Sequence, residues 1–220
     1  MRMPTLSAVV LSYNKAPVFG TFVESLKAQT RKPDQVIVVD DASTDGMGDL
    51  LGRYCNGWTT IRLSKNVGQS KARNLGFEKV TGDLTIFLDG DLEMKPDMLE
   101  VLERKLEEIP EASIAYGHYE RVGSRVDRLG AKPWDVTALR DMNYISMVSL
   151  VRTKDLPRPP LDESLRRYED WDLWLSMAEK GKHGVLVDQV LFRAHYQPGD
   201  LSGTGESGSW YQIVKKKHGL

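Results

Sequence analysis

The feature that most constrains this chain is an alternation. Through its first half, short apolar, β-branched runs take turns with stretches of helical periodicity. "LSAVVLSY", "DQVIVVD", "TTIRLS" and "LTIFLD" read as four strands. "DQVIVVD" is nearly all Val and Ile, as expected of a strand covered on both faces. Between the strands, "APVFGTFVESLKAQ" sets Val18, Phe22, Val23 and Leu26 on one helical face. "STDGMGDLLGRY" opens with turn chemistry and continues as a short helix, and "SKARNLGFEKV" gives another. After the fourth strand, "KPDMLEVLERKLEEIP" is a proline-bounded helix with Met98, Leu99, Leu102 and Leu106 on its apolar face. Strands alternating with helices predict an α/β fold with an open, mostly parallel sheet and right-handed crossovers.

In such sheets ligands gather beyond the carboxyl ends of the strands, at a topological switch point. Two of the runs end there in acids: Asp40 and Asp41 in "VVDDAS", Asp89 and Asp91 in "FLDGDL". Like charges repel and desolvation is costly, so the placement asks for a reason. Acids at strand ends bind a divalent cation, hydrogen-bond a nucleotide or accept a phosphoryl group. Asp-Gly-Asp can set two carboxylates around one small site, and hard oxygen donors favour Mg²⁺ or Mn²⁺. Magnesium takes one or two protein carboxylates and completes its shell with water and substrate phosphates. A solvated turn with incidental acids is the competing reading of those three residues alone.

From about Glu111 the pattern changes. "SIAYGHYERV" and "RVDRLG" read as strands or a hairpin, and "DMNYISMVSLVRT" holds another strand. "TKDLPRPPLDES" is a proline-rich loop. "EDWDLWLSMAEKG" is a helix with Trp171, Trp174, Leu175 and Ala178 at core spacing, closed by Gly181. "GVLVDQVLFRAHY" is a last strand, "PGDLSGTGESGS" a flexible loop, and the basic "YQIVKKKHGL" a solvated tail. The length suits one domain over 1–220: a nucleotide-binding half to about 110, an acceptor half over 111–205, and a tail from 206. A net charge of −1 gives no reason to expect nucleic acid. The single cysteine, Cys55, forbids an intrachain disulfide and is too few for a zinc cluster; it reads as a packing residue. No run of about 18 apolar residues is present, so no transmembrane segment is expected. The N-terminus does not read as a signal peptide, so the expected location is cytoplasmic. The lysines of the tail leave peripheral membrane contact open.

Taken in order, "VVLSYN", "QVIVVDDASTDG", "NVGQSKARNLG", "IFLDGD", "YEDWDLWL" and "FRAHYQPGDLS" resemble the family 2 glycosyltransferases, from about Leu6 to Ser202. The resemblance implies the GT-A fold: a Rossmann-like, mostly parallel central sheet flanked by helices, with a smaller acceptor-side sheet. It implies an inverting, metal-dependent transfer from a nucleotide-diphosphate sugar, a UDP-sugar favoured. The acceptor would be a hydroxyl of a saccharide, glycolipid or protein. Mapped onto this sequence, Ser12 and Tyr13 meet the base of the nucleotide, with Tyr13 able to stack on it. Asp41 hydrogen-bonds the base, and Asp40 is its structural neighbour. Arg73 lies near the nucleotide and the acids, with Lys71 a weaker candidate, and Asn66 and Gly68 shape their loop. Asp89 contacts the ribose or a metal-bound water. Asp91 contacts the metal, Mn²⁺ or Mg²⁺, and His195 is its second protein ligand, an imidazole that suits Mn²⁺ better. Asp170 is the catalytic base, while Asp172 is a solvated or capping acid. Segment 199–209 is a candidate lid over the donor.

Three other readings compete. A phosphoacceptor domain needs a well-placed Thr and Lys on later strands and leaves half of the chain unexplained. A nucleotidyltransferase carries an early Gly-rich arginine loop, which is absent from this sequence. A catalytically inactive sugar-nucleotide-binding protein of the same fold is the remaining alternative, and the intact Asp91, Asp170 and His195 stand against it.

Overall fold

Strand β1 (Leu6–Ser12) buries all seven of its residues, and the rest of the sheet is built outward from it. The computed structural model describes residues 2–123, 126–196 and 207–220. Beside β1 lie β2 (Gln35–Asp40) and then β3 (Thr59–Arg62) on one side, and β4 (Leu84–Asp89) on the other, all parallel. Successive side chains of a strand point to opposite faces. Accordingly Ala8, Val10, Val36, Val38, Ile86 and Leu88 enter one core, and Val9, Leu11, Ile37, Val39 and Phe87 the other. The first core is covered by α1 (Ala16–Lys27), α2 (Met47–Tyr54) and α4 (Met98–Glu108). The second is covered in part by α3 (Gln69–Phe77). Gly76 lets α3 lie close to the sheet, since a Cβ there would fall 2.6 Å from Val9 Cγ1.

The chain runs from β1 outward to β3 and then returns to β4 on the far side of β1, so the order reverses between β1 and β4. Register pairs Leu11 with Asp89 and Ser12 with Asp40, which brings the acid-bearing strand ends to one edge. The remaining strands continue the same sheet. The short β8 (Leu150–Arg152) lies antiparallel to β4, and β6 (Ile114–Gly123) antiparallel to β8. The long β9 (Gly184–Tyr196) runs parallel to β6, and the three-residue β5 (Leu92–Met94) pairs antiparallel with β9. β7 (Asp127–Leu129) forms a hairpin with β6. β6, β9 and β5 are thus joined to the parallel strands β1 to β4 through β8.

Helix α6 (Glu169–Glu179) buries Trp171 and Trp174 completely. Their indole N–H groups donate to Leu139 O at 2.6 Å and Ile145 O at 3.0 Å, beside the short α5 (Val136–Asp141). Cys55 is buried, and burial pushes its thiol up to about 11, consistent with a packing role. Among the described residues no helix is long and apolar enough to cross a membrane. Of the expected lid, residues 199–206 lie outside the described residues, and 207–209 open α7 (Ser207–Lys217).

Two expectations are corrected at the C-terminus. The basic tail, expected to be solvated, forms α7 and docks on α6, although Lys216 and Lys217 stay exposed. Tyr211 stacks on Trp171 with ring centroids 5.0 Å apart, and its hydroxyl donates to Asp141 O at 2.8 Å. Asp172 is not solvated either; it is 4% exposed and holds His218 Nε2 at 2.9 Å and Lys217 Nζ at 2.8 Å. The other ring nitrogen of His218 meets Glu179 at 2.7 Å, and Lys217 also reaches Asp162.

Burial works against a charged His218 ring, but Asp172 and Glu179 outweigh it and raise its pKa above 6.5. Its contribution to stability is therefore complete below pH 6.5 and is lost as pH rises through the raised value. His218→Asn should cost about 1–3 kcal/mol at the acid end. Thermal melts of both proteins across pH should show that difference shrinking as the solution becomes alkaline.

Candidate active site

At the carboxyl edge of β1 and β4 opens a cleft of about 800 Å³. That volume lies within the range of small-molecule sites. One wall comes from the strand ends: Leu11 of β1 with Tyr13 and Lys15 beyond it, Asp41 after β2, and Asp89 at the end of β4 with Gly90 and Asp91 beyond it. The opposite wall comes from Tyr119 and Arg121 of β6, the turn into α6 with Glu169 and Asp170, and the end of β9 with His195. The sheet topology thus brings both acid-bearing strand ends and the acidic start of α6 to one cavity.

Alternation along β1 decides which side chains reach this cleft. Leu11 lines it, whereas Ser12 points to the α1 face, is 1% exposed, and sets its Oγ 3.5 Å from Met47 Sδ. Ser12, expected at the nucleotide, is therefore turned away from the cavity. Tyr13 follows the strand and is 44% exposed on the cleft wall. Asp40 is buried and accepts the Ser43 N–H at 3.0 Å, with Arg62 Nε 3.3 Å from its other oxygen. It is the structural member of its pair. Asp41 is also nearly buried, and its two oxygens accept the N–H groups of Val67 at 2.7 Å and Gly68 at 2.9 Å. Asn66 donates to Asp41 O at 3.3 Å. Gly68 sits at φ 88, a conformation that favours glycine, so the loop can fold back onto that carboxylate.

Arg73 on α3 does not line the cleft. It lies beneath, 3% exposed, donating to Asp89 Oδ1 at 2.6 Å and to Glu169 Oε1 at 2.9 Å. Burial works against its charge, but Asp89 and Glu169 more than compensate and raise its pKa. Glu169 is buried as well. Burial pushes its carboxyl up to about 7, against the pull of Arg73 and with added repulsion from Asp170. Burial likewise raises Asp170, although the Trp171 N–H at 2.8 Å and the Asn143 side chain favour its charged form. Two adjacent carboxyl groups facing a cleft are thereby held above the ordinary carboxylate range, a common preparation for proton transfer.

Asp91 and His195 meet by strand register. Because Leu92 pairs with Ala194, Asp91 lies opposite His195, and the His195 N–H donates to Asp91 O at 3.1 Å. His195 Nε2 is buried without a hydrogen-bond partner, 3.7 Å from Glu93 Oε2. The Asp91 carboxylate lies 2.8 Å from Lys15 Nζ. Among the described residues no three His, Cys, Asp or Glu side chains form a closed cation cage. An acid paired across the strands with a histidine whose Nε2 is orphaned fits a cation that draws its other donors from diphosphate and water.

Sequence reasoning missed Lys15, Tyr119, Arg121 and Glu169 as cleft residues. Lys15 carried a signal, since it follows "SYN" at the end of the first strand. Glu169 precedes the expected base directly. Tyr119 and Arg121 share one face of β6 by alternation, but which face meets the cleft depends on pairing with β9.

Comparison with known proteins gives a consistent result. The family model described as Glycosyl transferase family 2 matches residues 7–156. A protein of Bacillus subtilis (strain 168) named "Putative teichuronic acid biosynthesis glycosyltransferase TuaG" is 29% identical, covering 97% of this chain and 85% of its own length. The crystal structure of S. aureus TarS 1-349 in complex with UDP-GlcNAc superposes with a TM-score of 0.78 at 21% identity, covering 95% of this chain and 64% of that one. The mannosyltransferase PcManGT from Pyrobaculum calidifontis, in complex with GDP-Man and Mn²⁺, gives 0.68 at 16% identity, over 99% of this chain and 62% of that one. The chain thus spans most of TuaG but under two thirds of these two structures. The structural likeness establishes the GT-A architecture.

Removing Arg73 strands a buried carboxylate. Arg73→Met should cost about 3–5 kcal/mol in chemical denaturation, the usual effect of breaking a buried ion pair from one side. Adding Glu169→Gln should recover part of that loss, because the buried carboxyl left without its cation is then gone.

Proposed function

The chain belongs to glycosyl transferase family 2, and on that premise we propose that it moves a sugar from a nucleotide-diphosphate donor to an acceptor hydroxyl with inversion at the anomeric carbon. The observation that carries this reading is the convergence in one cleft of the strand-end acids Asp89 and Asp91 with the elevated carboxyl of Asp170. The first set suits the polar and charged parts of a nucleotide sugar. The second suits removal of a proton.

Tyr13 offers an exposed ring for stacking against the base, and the Asp41 loop forms the adjoining wall. Asp89, held by Arg73, is the candidate partner of the ribose or of a metal-bound water. Asp91 and His195 would hold Mn²⁺ or Mg²⁺, which when bound neutralises the departing diphosphate. Asp170 accepts the proton of the acceptor hydroxyl as that oxygen attacks the anomeric carbon. The bond from that carbon to the diphosphate oxygen breaks with its electron pair, and the nucleoside diphosphate leaves. Buried Trp171 and Trp174 fix the helix that carries Asp170. UDP-sugars are the favoured donors, supported by the UDP-GlcNAc bound to the TarS neighbour, while PcManGT carries GDP-Man. A saccharide or glycoconjugate acceptor is supported by the polysaccharide role in the name of TuaG.

Asp170→Asn should lower kcat by about 10²–10⁴-fold, the usual worth of a general base. UDP binding measured by calorimetry should stay near its original strength, because the carboxylate acts on the acceptor. The acid limb of the wild-type rate should fall as pH drops through the raised pKa of Asp170. Unchanged turnover in the variant would remove Asp170 from the chemistry, and donor binding without turnover in the wild type would favour the inactive binding protein.

A further inference from the structure

Lys15 is placed where a cation cofactor is expected to act. Its ammonium lies 2.8 Å from the Asp91 carboxylate, with the two side chains only 17% and 14% exposed. Its backbone is fixed from both sides. Asn14, at φ 52, accepts the Thr44 N–H at 2.9 Å and donates its own N–H to Ser43 Oγ at 2.9 Å. On the other side, the Ala16 N–H donates to Asp45 Oδ2 at 2.8 Å. Lys15 is also the residue from which α1 starts, and its carbonyl accepts from Val18 and Phe19. A rigid base therefore carries a flexible four-carbon arm whose charged end reaches the cleft.

Several neighbouring acids have cations of their own, while Asp41 and Asp170 meet backbone N–H donors. Asp89 and Glu169 share Arg73, Arg121 is held by Asp127 through two bonds of 2.7 Å, and Glu93 lies 3.8 Å from Arg193. Lys15 is the ammonium placed on the acid that would hold a metal. Together Lys15 and Asp91 are neutral. A divalent cation added to that pair gives it a surplus of two positive charges in a partly desolvated pocket. Adding the two negative charges of a donor diphosphate at the same time restores neutrality and gives the displaced ammonium a new partner.

We propose that Lys15 is a built-in cation that occupies Asp91 in the donor-free enzyme and passes to the donor diphosphate when a divalent metal takes its place. This rests on the assignment of Asp91 to the metal made above. Metal and nucleotide then bind as a coupled pair, and neither binds well alone.

The test is Mn²⁺ binding, read by electron paramagnetic resonance of free Mn²⁺, with and without UDP. It uses the full chain and the variants Lys15→Met, Lys15→Arg and Asp91→Asn. The wild type should bind Mn²⁺ at least about 10-fold more tightly with UDP than without, within the range of ordinary coupling free energies. Lys15→Met should bind Mn²⁺ alone at least about 10-fold more tightly than the wild type and lose most of that coupling. Lys15→Arg keeps the charge and should behave as the wild type does. Equal Mn²⁺ affinity of Lys15→Met and wild type without UDP, while Asp91→Asn still weakens binding, would overturn the exchange and leave the metal site standing. Parallel behaviour of Lys15→Arg and Lys15→Met would overturn it too, since packing rather than charge would then be the cause. Mn²⁺ binding with UDP that is indifferent to Asp91→Asn would instead remove the metal assignment, and the exchange with it.

Discussion

The interaction on which the site depends is the pair of bonds made by buried Arg73. One joins it to Asp89 at the end of β4, the other to Glu169 at the start of α6. A guanidinium presents its donors in a fixed fork and stays charged at any physiological pH. Here that fork spans two segments far apart in sequence and ties the end of β4 to the start of α6 beneath the cleft. The carboxylates could not face one another across a partly dry cavity without it. The repulsion between Asp89 and Glu169 is answered from beneath by a cation that does not line the cleft.

The charges of the cleft are sorted by the same logic. Asp40 and Asp41 form the strand-end turn and its neighbouring loop, with backbone N–H groups as their partners. Asp89 is tied to Arg73, and Asp91 to Lys15. Among the described residues Asp170 accepts bonds of the weaker, neutral kind, from a backbone N–H and an asparagine side chain, and burial raises its pKa. The acids of this rim thus divide into those anchored by backbone N–H groups, those tied to a cation, and Asp170, which is met by neutral donors. The division follows from which cation or dipole each one meets.

Much of this was legible in the sequence. The period of the apolar runs gave the four parallel strands, and the acids at their ends pointed to the rim where the cleft lies. Trp171 and Trp174 were readable as core from helical spacing. Other features depend on contacts that no local window contains. Strand β5 is three residues long, too short to show a period, yet its register is what sets Asp91 opposite His195. Ser12 belongs to a motif but faces the wrong side, a consequence of alternation along a strand buried on both faces. The tail looked solvated because its lysines are consecutive. Its partners, Asp162 and Asp172, precede it by 55 and 45 residues.

Asp91 and His195 mark the proposed donor end of the cleft. Anomalous diffraction at the manganese edge, from crystals grown with Mn²⁺ and whichever of UDP or GDP binds, tests this placement most directly. The predicted result is one manganese peak between the Asp91 carboxylate and the His195 imidazole, at about 2.0–2.3 Å from each, with the diphosphate on its open side. A manganese and nucleotide bound instead against Glu169 and Asp170, or outside this cleft, would contradict it.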